Sequence, residues 1–144
     1  MTTIDYTMNL RKTYNAYKKM CEPVFRKYEI SPVSYDILMF LANNPEYKTA
    51  QDICDFKCIK KNLVSVHVDK LVNAGLLERG YIAGDRRKIS LSPTPRASAI
   101  IDEGLALQKE FYERIISGIS EEDWAAYKRI NDQVIKNTNE ILNN

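Results

Sequence analysis

Five glycines and five prolines are all that punctuate 144 residues, so the chain has few places to turn. Its organisation therefore rests on the spacing of its apolar residues, and that spacing is helical almost throughout. Residues 4–28 carry Met8, Leu10, Tyr14, Tyr17, Met20, Cys21, Val24, Phe25 and Tyr28 at helical intervals. Pro23 removes a hydrogen bond inside this run, which predicts a kink or a break. Ser31-Pro32 opens a second helix with Ile37, Leu38, Phe40 and Leu41, and Asn43-Asn44-Pro45 stops it. Thr49 is a good N-cap for a short helix to about Phe56. After a turn at 57–59, Leu63, Val64, His67, Val68, Leu71 and Val72 form the next helical stripe, closed by Ala74-Gly75.

The period then changes, once. Leu76 to Tyr81 is short and extended, Ala83-Gly84-Asp85-Arg86 reads as a turn, and Lys88-Ile89-Ser90-Leu91 as a returning strand. Together they predict a β-hairpin with a charged tip. Thr94-Pro95 restarts a helix that carries Ile100, Ile101, Leu105, Leu107, Phe111, Ile115 and Ile116 and ends at Gly118. Ser120-Glu121-Glu122-Asp123 caps the last helix, whose stripe is Trp124, Tyr127, Ile130, Val134, Ile135, Ile141 and Leu142. The order predicts one mainly α domain with a small β-hairpin wing.

Composition narrows the function classes. Hydrophobic residues make up 44% and charged residues 28%, the balance of a folded chain that is not disordered. No run approaches the ~18 apolar residues of a membrane span, and no basic-apolar leader opens the chain. Three cysteines make a poor disulfide framework, so reduced thiols and a cytoplasmic location are expected. There is no Gly-rich phosphate loop, nucleophile elbow or zinc-protease helix, and a single histidine cannot build a triad. The expectation is a protein that is not an enzyme and carries no cofactor.

The net charge of +2 conceals a partition. Residues 57–88 hold eight cations and three anions, a net +5, which leaves −3 for the rest of the chain. The cations coincide with the helix–turn–helix and the hairpin, elements whose shapes fit DNA grooves. If Val64, His67, Val68 and Leu71 face inward, then Lys61, Asn62, Ser65, Val66 and Asp69 face outward. Asn62 and Ser65 suit base edges, while Lys60 and Lys61 suit phosphates. Arg86 or Arg87 at the hairpin tip suits a narrow minor groove. The candidate DNA-binding set is therefore Lys60, Lys61, Asn62, Ser65, Val66, Lys70, Arg86, Arg87 and Lys88.

The stretch from Asp69 to Ala99 resembles the MarR family of winged helix–turn–helix transcriptional regulators. It contains a Leu-x₃-Gly-Leu-Leu-x-Arg run (Leu71 to Arg79), an Asp-x-Arg wing signature (Asp85, Arg87) and the Thr94-Pro95 helix start. The resemblance implies an intertwined homodimer, with residues 1–30 as an N-terminal dimerisation helix. It implies a DNA-binding winged helix at 31–93 and C-terminal dimerisation helices at 94–144. It implies a pseudo-palindromic double-stranded operator, repression, and release of DNA by a small aromatic effector. Asp85, with Arg79, is implied to stabilise the wing, Asp85 through an ion pair, and Arg87 to reach the minor groove. The chain departs from the family pattern at Lys60, Val66, His67, Pro93 and Ala97.

Several residues admit two readings. His67 can be a pH- or ligand-sensing group, or a hydrogen-bonded residue of the core. Tyr6, Tyr14, Tyr17, Tyr28 and Tyr35 can line an effector pocket, with His67 beside them, or pack an amphipathic interface. Cys54 and Cys58 lie near His67 in sequence, but a metal needs three or four converging ligands, and small buried roles fit them better. Cys21 can act as a redox sensor only if a neighbour such as Lys18 or Lys19 stabilises its thiolate. The alternatives to a regulator are thus a winged-helix protein-interaction module without DNA binding, or a thiol-based sensor.

Overall fold

The computed structural model describes residues 3–143, with side chains from residue 8 onward; the side chain of Tyr6 lies outside the described residues. The elements are α1 (Thr3–Lys27), α2 (Pro32–Asn43), α3 (Ala50–Lys57), α4 (Lys61–Asn73), β1 (Leu77–Ile82), β2 (Asp85–Pro93), α5 (Ser98–Ile115) and α6 (Glu121–Asn143). A 3₁₀ turn at Pro95–Ala97 leads into α5. This is the mainly α architecture with a β-hairpin wing that the periodicity predicts. The chain divides into two compact units, Met1–Gln108 and Lys109–Asn144.

In the first unit the core gathers around α2. Every residue from Ser34 to Leu41 is buried. Cys21 and Val24 of α1, Ile53 of α3, Val64, Val68 and Leu71 of α4, and Leu77 and Leu91 of the hairpin join the same cluster. A helix buried all round must pair its polar side chains, because an unpaired buried polar group is costly. Asp36 accepts from the Tyr14 hydroxyl and forms an ion pair with Lys18 at 3.2 Å. Ser34 lies 2.8 Å from His67 Nδ1. From α5, Gly104 makes a close approach. A Cβ there would stand 2.5 Å from Met39 Sδ and 2.9 Å from the Tyr35 hydroxyl.

Pro23 does not break α1, which runs through it to Lys27. Both Pro23 and Lys19, whose carbonyl loses its partner, are exposed, so water can take that hydrogen bond. Buried Cys21 and Val24 hold the helix on the core on either side. The hairpin is longer than expected, and its turn is only Ala83-Gly84. Gly84 takes φ +86, which glycine adopts at no steric cost, so Asp85 and Arg86 already belong to β2. Thr94 makes no side-chain cap bond. Its hydroxyl donates instead to the Gly75 carbonyl, and its N–H to the Leu76 carbonyl at 3.0 Å, closing the base of the hairpin on the end of α4.

The second unit holds the end of α5 and α6. Ser120 caps α6 by accepting the Asp123 N–H at 3.1 Å. Trp124 packs edge-on against Tyr112 at 5.7 Å between ring centroids and stacks on Tyr127 at 5.0 Å. No residue of α6 is buried, and Tyr127, Ile130, Ile135, Ile141 and Leu142 are half exposed or more. Among the described residues no helix is long and apolar enough to cross a membrane.

Candidate nucleic-acid interface

The helix–turn–helix is set by local chemistry before any packing. Thr49 Oγ1 accepts the Asp52 N–H at 3.1 Å, while Asp52 accepts the Thr49 N–H at 2.8 Å. This reciprocal capping box fixes the start of α3. Burial pushes the Asp52 carboxyl up, but the hydrogen bonds from Thr49 and Lys48 outweigh it and leave the group below its usual range. Cys58 closes α3 in a left-handed conformation, φ +51, and α4 begins three residues later.

α4 buries Val64, His67, Val68 and Leu71, as the periodicity requires. Lys61, Asn62, Ser65, Val66, Asp69 and Lys70 are exposed. Lys60 occupies the N-cap and makes no side-chain cap bond; in the first turn of α4 the Asn62 Oδ1 accepts the Leu63 N–H at 2.9 Å instead. Leu63 is a correction. It belongs to the apolar stripe of the sequence, yet it is 42% exposed. One residue of helix turns the chain by about 100°, which takes Leu63 off the face that Val64 holds.

The hairpin stands beside this helix. Its strands pair Leu77 with Pro93 through Tyr81 with Ile89, and then the register shifts so that Ile82 opposes Asp85. Arg86, Arg87 and Lys88 fall in the shifted stretch, without register partners, and all three are exposed. A bulge of this kind re-aims side chains out of the regular pleat. The expected Asp85 ion pair is absent among the described residues. Its carboxylate accepts the Arg87 N–H at 3.0 Å, a bond within the hairpin tip. The ion pair of the wing is instead Arg79 with Asp69, which ties β1 to α4. A cleft of about 150 Å³ separates the hairpin from α3 and α4, with Ile89 and Leu91 among its walls and Lys61, Ser65 and Arg79 at its polar edge. Ile89 is 49% exposed, and strand alternation alone does not say which face is covered.

The proposed sensing residues separate. Tyr28 lines a cavity of about 220 Å³ with Ile30, Ser31, Ser34, Lys70 and Leu71. Tyr14, Tyr17, Tyr35 and His67 do not line it. Tyr14 is bonded to Asp36, and the Tyr17 and Tyr35 hydroxyls meet at 3.0 Å. Spacing of three on α1 turns Tyr14 and Tyr17 toward α2, so they join the helix packing. Burial pushes Tyr17 up to about 12. His67 is buried against Ser34 and Ser31, and desolvation, with nearby Lys70, lowers its pKa. Cys21 is fully buried, and burial raises its thiol pKa, the opposite of an activated thiolate. Among the described residues no cluster of His, Cys, Asp and Glu could hold a metal.

The MarR family model matches residues 28–88, which contain α2 to α4 and the basic part of the wing. The regulator PecS of Dickeya dadantii (strain 3937) is 31% identical over 104 residues, covering 71% of this chain. The match spans 63% of PecS. Among solved structures, the transcriptional regulator PA3341 superposes with a TM-score of 0.83 at 20% identity, covering 94% of this chain and 98% of that one. The S. aureus MepR–DNA complex superposes with a TM-score of 0.76 at 17% identity, covering 94% and 96%. These structures share the fold, and the family model and PecS share the sequence pattern that runs over α4 and the hairpin. Over residues 28–88 the chain carries the sequence pattern of the MarR family, on the fold of these regulators.

Proposed function

We propose that the chain is a sequence-specific, double-stranded-DNA-binding transcriptional regulator, a cytoplasmic homodimer that represses and responds to a small aromatic effector. The observation that carries this reading is the adjacency of an exposed polar helix face to exposed cations. Asn62, Ser65 and Val66 on α4 are offered to base edges. Lys60, Lys61 and Lys70 flank them, and Arg86, Arg87 and Lys88 project from the shifted register of β2. MepR, a relative in fold, is recorded in complex with DNA, which supports the same use of this fold here.

The division of labour follows. Residues 31–93 bind DNA, and residues 1–30 and 94–144 dimerise. The exposed apolar side chains of α6 support the second part, since no residue of that helix is buried in a single chain. Two copies related by a two-fold axis would meet a pseudo-palindromic operator. The effector site is the cavity lined by Tyr28, Ser31, Ser34 and Lys70, where a ring and a polar group on it would both find partners.

The test is binding to duplex DNA from the chain's own promoter region as salt is varied. Several phosphate contacts require affinity to fall steeply with salt on a log–log plot. Weak binding that does not change with salt would remove the regulator reading and leave the protein-interaction module.

A further inference from the structure

α4 carries an apolar feature that folding does not use. Its buried residues are Val64, His67, Val68 and Leu71. At about 100° per residue, the direction opposite them runs along Asn62, Val66 and Asp69. Val66 is therefore at the middle of the outer face, and it is 50% exposed. Leu63, also exposed, stands on its flank. A β-branched residue on an exposed helix face forms helix less well than Ala, Lys or Glu. Neither helix propensity nor the core explains a valine there.

We infer that Val66 is a specificity-determining residue that reads a thymine through its 5-methyl group. The inference rests on the reading of α4 as the helix that enters DNA. Only the major groove displays this methyl, and it is the one apolar group on a base edge there. Lys61 and Lys70 on α4, with Arg86, Arg87 and Lys88 on the wing, are complementary in charge to the phosphates that border the groove. Held by those contacts, the central ridge of the helix meets bases. Val66 then covers a methyl, and Asn62, one turn earlier, whose Oδ1 accepts the Leu63 N–H, offers its amide N–H to a neighbouring base. A cytosine or guanine under Val66 would instead lose water from a polar edge and gain no hydrogen bond.

The experiment takes the preferred duplex selected from a random pool and replaces its thymines one at a time by deoxyuridine. This removes the methyl and leaves base pairing and charge unchanged. One thymine per half-site should weaken wild-type binding about fourfold when its methyl is removed, the loss expected for one methyl withdrawn from apolar contact. Val66→Ala should bind the thymine duplex more weakly and be indifferent to that replacement. Alanine is the better helix former, so the variant keeps its fold, which circular dichroism checks. Wild-type binding unchanged by every replacement overturns the inference, as does a Val66→Ala protein with wild-type sensitivity. In both cases DNA binding itself stands. Loss of all salt-dependent binding in the wild type overturns the regulator reading and this inference with it.

Discussion

Gly104 and His67 show how far single residues are held by their surroundings. A Cβ on Gly104 would meet Met39 and Tyr35, and both side chains are buried. Gly104→Ala gains helix propensity but overpacks this contact, for a net loss of about 1–2 kcal/mol, read as a lower urea midpoint. An unchanged midpoint would mean that Met39 yields freely. His67 has a lowered pKa because burial, and then Lys70, disfavour its charged form. As pH falls, the unfolded chain takes up that proton first. Its contribution to stability is therefore whole above about pH 7 and declines as pH drops through about 6.5. Thermal unfolding between pH 7.5 and 5.5 should show this decline, and His67→Gln should flatten it. Asp52 and Glu103, whose carboxyls are lowered, lose their contributions only in the more acidic range. The burial of His67 is legible in the sequence from the helical stripe. Its partners Ser31 and Ser34 are not, because they come from another helix.

At the scale of elements, local signals were sufficient wherever partners are near in sequence. Thr49 with Asp52, Ser31 with Ser34, and Ser120 with Asp123 mark helix starts, and each makes its bond within three residues. Thr49→Ala removes one cap of α3 and should cost about 1 kcal/mol in chemical denaturation, with the wild-type structure kept. A cost near zero would mean that packing alone positions α3. Local signals misled where a distant group competes. Thr94 has the sequence of an N-cap, yet its hydroxyl is taken by the Gly75 carbonyl. Pro23 has the sequence of a helix breaker, yet buried residues on both sides carry α1 through it. The wing is the clearest case. Its existence follows from the change of period, but the shift that frees Arg86, Arg87 and Lys88 depends on how the strands pair. An expected Asp85 ion pair became a bond to the Arg87 N–H for the same reason.

For the molecule as a whole, the proposed assembly is the matter to be tested. A chain whose last helix buries nothing exposes Ile130, Ile141 and Leu142 to water. Light scattering should give twice the 16.6 kDa chain mass, and a monomer at micromolar concentration would remove the proposed dimer. The charge partition belongs to this scale as well. The +5 of residues 57–88 against −3 elsewhere is fixed by the sequence, and so are the helical periods, the caps and the position of the hairpin. These are legible because each depends on residues within a few positions of one another. The tertiary structure alone decided that Asp36 would be buried against Tyr14 and Lys18, and that Cys21 would be a protonated core thiol. It also decided that the tyrosines of α1 and α2 would pack instead of sharing the cavity beside Tyr28. Those outcomes depend on which helix faces which, and they are set by the burial of α2 on all sides, a long-range arrangement that periodicity along the chain does not encode.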